Sequence, residues 1–98
     1  MKARLLLRQK LTDSDGDLKE LVAWRVVVNE KHPEGVRYRL AFIPQGHKQP
    51  AVLYDNHHPK GHHKHVDESE SLYSFSGARQ LIEDFEKDVV HWKRKRGQ

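Results

Sequence analysis

The sequence predicts an α+β fold, in which an antiparallel meander sheet of four to five strands carries one C-terminal amphipathic helix on one face. Three observations predict this fold. Apolar and polar residues alternate through residues 2–56, every connection between the alternating segments is too short for a crossover helix, and the apolar spacing becomes helical in the last third. Because the chain has 98 residues, of which 36% are hydrophobic, we expect a single domain over residues 1–98.

Four segments within residues 2–56 have the two-residue apolar period of half-buried strands. An Asp-Gly turn separates the first two segments, and loops that contain Pro or Gly separate the others. The expected strands cover residues 2–12, 18–29, 36–43 and 51–56. The strand residues predicted to meet the helix are Leu5, Leu7, Trp24, Val26, Tyr38, Leu40 and Phe42.

The last third of the chain predicts one helix over residues 77–93. Its apolar residues follow the i, i+3, i+4, i+7 spacing of a helix with one buried face, and Ser76 lies where an N-cap is expected. Four consecutive basic residues begin at Lys93 and suit the negative end of the helix dipole. We expect residues 93–98 to form a frayed basic tail.

Charge is segregated along the chain, although the net charge is only +4. Residues 1–65 carry 12 basic and 7 acidic side chains, residues 66–90 carry 2 and 7, and residues 91–98 carry 4 and none. If the apolar strand faces meet the helix, a row of arginines falls on the opposite face, where it repels itself unless an anion lies on it. Nucleic-acid phosphate is the usual anion, and arginine stems that cover apolar surface are the alternative. The residues predicted to bind nucleic acid are Arg4, Arg8, Arg25, Arg37, Arg39 and Lys64.

The composition also excludes several classes of site. The chain has no cysteine, so disulfides, thiolate nucleophiles and zinc–thiolate sites are excluded, and a metal would need His, Asp or Glu ligands. The sequence has no run of 18 apolar residues and no secretory signal pattern at its start. We therefore expect a soluble, cytoplasmic protein without a membrane partner.

Residues 54–68 form a His-rich segment, which holds five of the eight histidines. One hypothesis is metal-independent acid–base cleavage of RNA, which needs no cofactor because imidazoles exchange protons near neutral pH. The less favoured hypothesis is a metal site, since His63 and His65 point to the same side of an extended chain and Asp67 could join them. The predicted catalytic residues are His63 and His65 as acid and base, Lys60 with Lys64 as phosphate stabilisers, and Tyr54 with Asp55 to orient an imidazole.

The chain resembles the TumE family of toxins from bacterial toxin–antitoxin operons. The resemblance covers nearly the whole chain, and its most specific part joins Leu53-Tyr54-Asp55-Asn56 to Lys60-Gly61-His62-His63-Lys64-His65. It implies a small toxin encoded beside a helix-turn-helix antitoxin, without supplying a mechanism. The motif residues that carry the resemblance are Tyr54, Asp55, Asn56, Lys60, Gly61, His63 and His65.

Two functions from different classes follow from these observations. The preferred hypothesis is a toxin that binds RNA on its basic surface and cleaves it through the His-rich segment. The alternative is a non-enzymatic binding module whose histidines hold a metal or coat a loop. The acidic residues of the predicted helix offer a surface to a basic antitoxin: Glu83, Asp84, Glu86 and Asp88.

Overall fold

The computed structural model describes residues 3–97 as a six-stranded antiparallel sheet followed by one helix. Sheet order follows chain order, so the sheet is a meander from β1 to β6. The α+β prediction is confirmed, but the sheet has six strands rather than four to five. The elements are β1 Arg4–Thr12, β2 Leu18–Arg25, β3 Val36–Ile43, β4 Val52–Asp55, β5 His63–Val66, β6 Ser69–Leu72 and α1 Ala78–Arg96.

The two additional strands come from the His-rich segment and the residues after it. β5 and β6 form a hairpin whose turn begins at Asp67, with φ at 53°, a left-handed conformation that Asp tolerates better than most residues. All four residues of β6 are exposed, so the strand has no apolar alternation by which it could be predicted. The end of the His-rich segment and the residues after it therefore continue the sheet.

β1 and β2 contain an irregularity that decides which face their side chains occupy. Leu5 pairs with Trp24 and Leu7 pairs with Ala23, so Leu6 is an extra residue in β1. Ala23 pairs in turn with the buried Tyr38, which places Ala23 and Leu7 on the face that α1 covers.

The prediction of which residues of these strands face the helix is therefore partly wrong. Leu5 and Trp24 lie on the face opposite α1, whereas Leu7 is on the helix side as expected. Val26 follows the end of β2, where its N–H donates to the Gly35 carbonyl. Both faces of this segment are partly apolar, so its alternation does not specify which face is buried.

α1 packs across the middle of the sheet through Leu81, Phe85 and Val89, which are buried. The strand residues of this core are Leu21, Tyr38, Leu40, Phe42, Val52 and Tyr54. The helix covers 78–96 rather than the predicted 77–93, and Gly77 is its N-cap without a side-chain hydrogen bond. The predicted capping role of Ser76 is therefore wrong.

The basic end of α1 is tied to the β1–β2 turn instead of forming a frayed tail. Lys93 contacts Asp13 and Asp15, and Arg96 donates hydrogen bonds of 3.1 and 2.8 Å to the two carboxylate oxygens of Asp17. Asp17 is fully buried, and the hydrogen bonds from Arg96 hold the pKa of its carboxyl far below its usual range. Burial alone would lower the pKa of Lys93, but its hydrogen bonds to the aspartates raise it above its ordinary value. Gln98 lies outside the described residues.

Candidate nucleic-acid interface and histidine site

The sheet face opposite α1, called the open face below, brings basic, acidic and imidazole groups into rows across the strands. Side chains directly opposite each other in an antiparallel pair lie on the same face. One row consists of Arg8, Val22, Arg39, Asp55, His63 and Leu72. The next row consists of Lys10, Glu20, Ala41, Leu53, His65 and Glu70.

Trp24 lies beside the first row and has arginines around it. It pairs with Arg37 across β2 and β3, and the Arg8 guanidinium carbon is 5.8 Å from the centroid of its ring. Trp24 is half-buried, and a depression on the open face is lined by Trp24, Arg37, Arg39 and Asp55. We call Arg8, Trp24, Arg37 and Arg39 the arginine–tryptophan patch.

The five arginines predicted to form one row are divided between the two faces. Arg8, Arg37 and Arg39 lie on the open face, whereas Arg4 and Arg25 pair with each other on the face that carries α1. The extra residue Leu6 causes the division in β1, since it changes which side the preceding residues face. Only three of the five can contact one ligand on the open face.

His63 is held at both ring nitrogens. Its Nδ1 is 2.8 Å from the Gly61 carbonyl oxygen, and because a carbonyl only accepts, Nδ1 is the donor. Its Nε2 is 3.0 Å from Oδ1 of Asp55, the residue that pairs with His63 across β4 and β5. The residue is only 6% exposed, so the ring is fixed in orientation at the edge of the open face.

His65 is the more accessible of the two imidazoles, with 31% of its side chain exposed. Its ring centroid is 5.2 Å from that of His63, and its Nε2 is 3.9 Å from Oε2 of Glu70. The same Glu70 oxygen is 2.7 Å from Nζ of Lys60, and this hydrogen bond holds the pKa of Glu70 below its ordinary value. We call His63 and His65 the histidine pair.

Two of the predicted catalytic residues lie on the other side of the sheet. Tyr54 is fully buried beneath α1, where its hydroxyl donates to Asp88, and Lys64 Nζ is 3.0 Å from the same carboxylate. Burial, followed by the hydrogen bond to Asp88, raises the pKa of Tyr54 well above its usual range. Successive strand residues point to opposite faces, so Tyr54 and Lys64 cannot share a site with Asp55, His63 and His65.

The expected metal-ligand set differs from the group that the structure brings together. Asp67 is in the β5–β6 turn, where its Oδ1 accepts a hydrogen bond of 2.7 Å from Nε1 of Trp92. Glu70 takes its place, because β6 pairs Glu70 with His65. One ligand atom from each of His63, His65 and Glu70 lies within 4.8 Å of the others.

The acidic side chains of α1 are largely used within the fold. Asp84 accepts from Tyr73 at 2.6 Å, Glu86 from Lys19 at 3.0 Å, and Asp88 from Tyr54 and Lys64. Glu83 is the exposed member of the four carboxylates expected to form a docking face. The acidic surface of the helix is therefore smaller than its sequence indicates.

The family model for the toxin TumE matches residues 2–93 of the chain. The chain belongs to the TumE toxin family. This confirms the resemblance carried by the motif at 53–65, and the matched range includes the arginine–tryptophan patch, the histidine pair and the core of α1. No curated protein and no solved structure matches the chain.

Membership of the TumE family establishes a toxin role and implies a partner antitoxin in general. Within residues 3–97, no helix is long and apolar enough to span a lipid bilayer. The open face of this TumE-family toxin is the surface where charged groups and imidazoles lie together without helix cover.

A further polar array in this TumE-family chain was missed by the sequence interpretation. His62 Nε2 is 2.9 Å from Glu34, its Nδ1 is 2.8 Å from the Tyr38 hydroxyl, and its ring stacks on Phe75 at 4.7 Å. The hydrogen bond with His62 lowers the pKa of Glu34, and burial raises the pKa of Tyr38. These residues come from distant parts of the chain, so no local pattern predicts their meeting.

Proposed function

We propose that this TumE-family toxin binds RNA on the open face and cleaves it with the histidine pair. The observation that carries the proposal is the row from Arg8 and Arg39 through Asp55 to His63. Two guanidinium groups and an oriented imidazole share one surface that α1 does not cover, which supports the proposal.

Binding is attributed to the basic side of the open face. On β1 to β4 this face carries four basic side chains, of Arg8, Lys10, Arg37 and Arg39, against the carboxylates of Glu20 and Asp55. Guanidinium groups bind phosphate oxygens through paired hydrogen bonds and release counterions from the nucleic acid. Affinity for RNA should therefore fall steeply as salt rises.

Cleavage is attributed to the two imidazoles, which differ in their environments: His63 is buried and His65 is partly exposed. His65, the accessible ring, removes the proton from a ribose 2′-hydroxyl, and the 2′ oxygen attacks phosphorus. As the bond from phosphorus to the 5′ oxygen breaks, His63 in its imidazolium form releases its Nε2 proton from the hydrogen bond with Asp55 and donates it to the departing oxygen. The products are a 2′,3′-cyclic phosphate and a 5′-hydroxyl.

A cation near the scissile phosphate would stabilise the charge that develops in this step. Lys60 fits that role, since its side chain is 58% exposed and it precedes β5 beside Glu70. The predicted stabiliser Lys64 lies under α1 and is left out of the proposed site.

Expression of three proteins tests the proposal: the wild type, a His63→Ala/His65→Ala variant, and a His58→Ala/His91→Ala control. His58 and His91 are exposed and lie outside the proposed site. We expect growth arrest and RNA fragments with cyclic phosphate ends from the wild type and the control only. Equal arrest by all three proteins, with all of them folded, would exclude the histidine pair from the mechanism.

The alternative function is metal binding without catalysis, favoured by the approach of His63, His65 and Glu70. Imidazole and carboxylate ligands suit zinc and related divalent ions. Elemental analysis of the purified protein tests it, together with melting temperatures after addition of Zn²⁺ or Mn²⁺. A metal content below about a tenth of an ion per chain and an unchanged melting temperature would exclude this function.

The toxin's partner is proposed to be a helix-turn-helix antitoxin, as the family resemblance implied. A gene for such a protein beside this one, whose co-expression restores growth, would support the pairing. Co-expression without rescue would contradict it.

A further inference from the structure

We infer that the RNA bound on the open face is single-stranded and that one of its bases stacks on Trp24. This inference rests on the proposed RNA binding and names the class of RNA. The observation that supports it is the half-buried indole of Trp24, which lies between Arg8 and Arg37 on the face that α1 leaves uncovered.

Trp24 has no place in the core of this fold. The neighbouring positions of β2, Leu21 and Ala23, point toward α1 and pack there, whereas Trp24 points away. A large aromatic ring beside arginines on an uncovered sheet face is the arrangement used to stack unpaired bases. Arginines around such a ring supply the charge that follows the phosphate backbone.

The pairing state of the RNA follows from the same geometry. In a duplex the faces of the bases are covered by their neighbours in the stack, so an indole on a sheet surface can reach only an unpaired base. Arg8 lies over part of the ring, but its long side chain can move to a phosphate. A surface cation–π contact is weaker than stacking of a base on an aromatic side chain.

The distance to the histidine pair indicates which nucleotide Trp24 holds. Trp24 is on β2 and His63 is on β5, three strand spacings away, which is about 14 Å along the sheet. The base on Trp24 therefore belongs to a different nucleotide, more than one position away from the one that is cleaved. A single strand would cross the depression between Arg37, Arg39 and Asp55 on its way.

Intrinsic fluorescence and anisotropy test the inference, because the chain has two tryptophans. The second, Trp92, packs edge-on to Phe42 on the other side of the sheet, so Trp92→Phe leaves Trp24 as the reporter. The probes are a labelled ten-nucleotide oligouridylate and a labelled RNA duplex of equal length. We expect oligouridylate to quench Trp24 and to bind more tightly than the duplex.

Substitutions then separate stacking from charge. Trp24→Leu should weaken oligouridylate binding about tenfold or more, whereas Trp24→Phe, which keeps a ring, should retain most of the affinity. Trp92→Phe is the matched control and should leave affinity unchanged. Because Trp24→Phe changes the same position but keeps a ring, a folded Trp24→Phe variant that binds oligouridylate still tests stacking if Trp24→Leu does not fold.

Two contrary outcomes are distinguishable. If duplex and oligouridylate bind equally, and Trp24→Leu changes neither, the inference is overturned while salt-dependent RNA binding still supports the proposed function. If neither RNA binds at low salt, the proposed function itself is overturned and the inference falls with it.

Discussion

Single side chains on the open face differ in how much freedom their contacts leave them. His63 is held by Gly61 and Asp55 and is 6% exposed, whereas the His65 ring keeps a solvent-facing edge. A fixed ring suits a proton donor that must meet one oxygen, and an accessible ring suits the base that meets the incoming hydroxyl. In the proposed mechanism Asp55 is a positioning residue, because its contact is with His63.

Replacement of Asp55 by Asn should impair the cleavage step while leaving RNA binding intact. The amide keeps the shape of the side chain but removes the charge beside Nε2 of His63. We expect kcat for an RNA oligonucleotide to fall by about 100-fold with little change in KM. Glu20→Gln, an equal change elsewhere on the open face, is the control, and a similar loss of kcat there would contradict the positioning role.

The sequence indicated part of the candidate site at this scale. Asp55, His63 and His65 come from one short segment, and the structure brings them together. The apolar residues around Trp24 led to the wrong prediction that it faces the helix. The approach of Glu70 to His65 was not predicted, because it depends on the pairing of β5 with β6, a strand without apolar alternation. Local patterns do not contain such pairings, because they are set between strands.

At the scale of elements, the division of the arginines between the two faces of the sheet has a direct consequence. Arg37→Gln/Arg39→Gln should weaken RNA binding and make the salt slope shallower by about 1.4, since each phosphate contact to a single strand contributes about 0.7. Arg4→Gln/Arg25→Gln removes the same charge from the other face and should change the slope little. Titrations over a range of salt concentrations measure both, and equal effects would contradict binding on the open face.

The contact between the β1–β2 turn and the end of α1 should make stability depend on acid pH. Hydrogen bonds from Arg96 lower the pKa of Asp17 in the folded chain from its ordinary 3.8. The carboxylate therefore stabilises the fold above that pH, and the contribution is lost as pH falls further. Asp13 and Asp84 have lowered pKa values too and act in the same direction.

Thermal unfolding between about pH 7 and pH 1.5 measures this dependence, since the stabilisation is lost below the ordinary pKa of the carboxyl group. Asp17→Asn should cost about 2–3 kcal/mol at neutral pH and should reduce the loss of melting temperature in acid, since the variant has no carboxylate left to protonate there. Glu83→Gln, at an exposed helix position, should behave as the wild type. An Asp17→Asn variant as acid-sensitive as the wild type would contradict this source of the pH dependence.

For the whole molecule, the apolar core and the site of the proposed function lie on opposite faces of one sheet. The helix side holds the apolar core, and the open face holds the arginine–tryptophan patch and the histidine pair. A sheet covered by a single helix has room for this division, since one layer is enough to bury its apolar face. Changes on the two faces should therefore have separable effects.

Phe85→Ala tests the helix side of this division. Phe85 is fully buried in α1, so its truncation should lower the free energy of unfolding by about 3–5 kcal/mol in urea titrations. Ile82→Ala on the same helix is partly exposed and should cost less. A Phe85→Ala protein that remains folded should still bind RNA, and specific loss of binding would contradict the separation of the faces.

The sequence by itself determined the α+β class, the strands up to β4, the C-terminal helix and the TumE family, because each depends on local periodicity or on a continuous motif. Only the tertiary structure decided which face Trp24 occupies, that Lys64 lies under α1 beside Asp88, and that Arg96 binds Asp17. The physical reason is that a two-residue period says which side chains share a face but not which face is covered. Which face of the sheet is covered depends on strand pairing and on the position of the helix, and both bring together residues far apart in the chain.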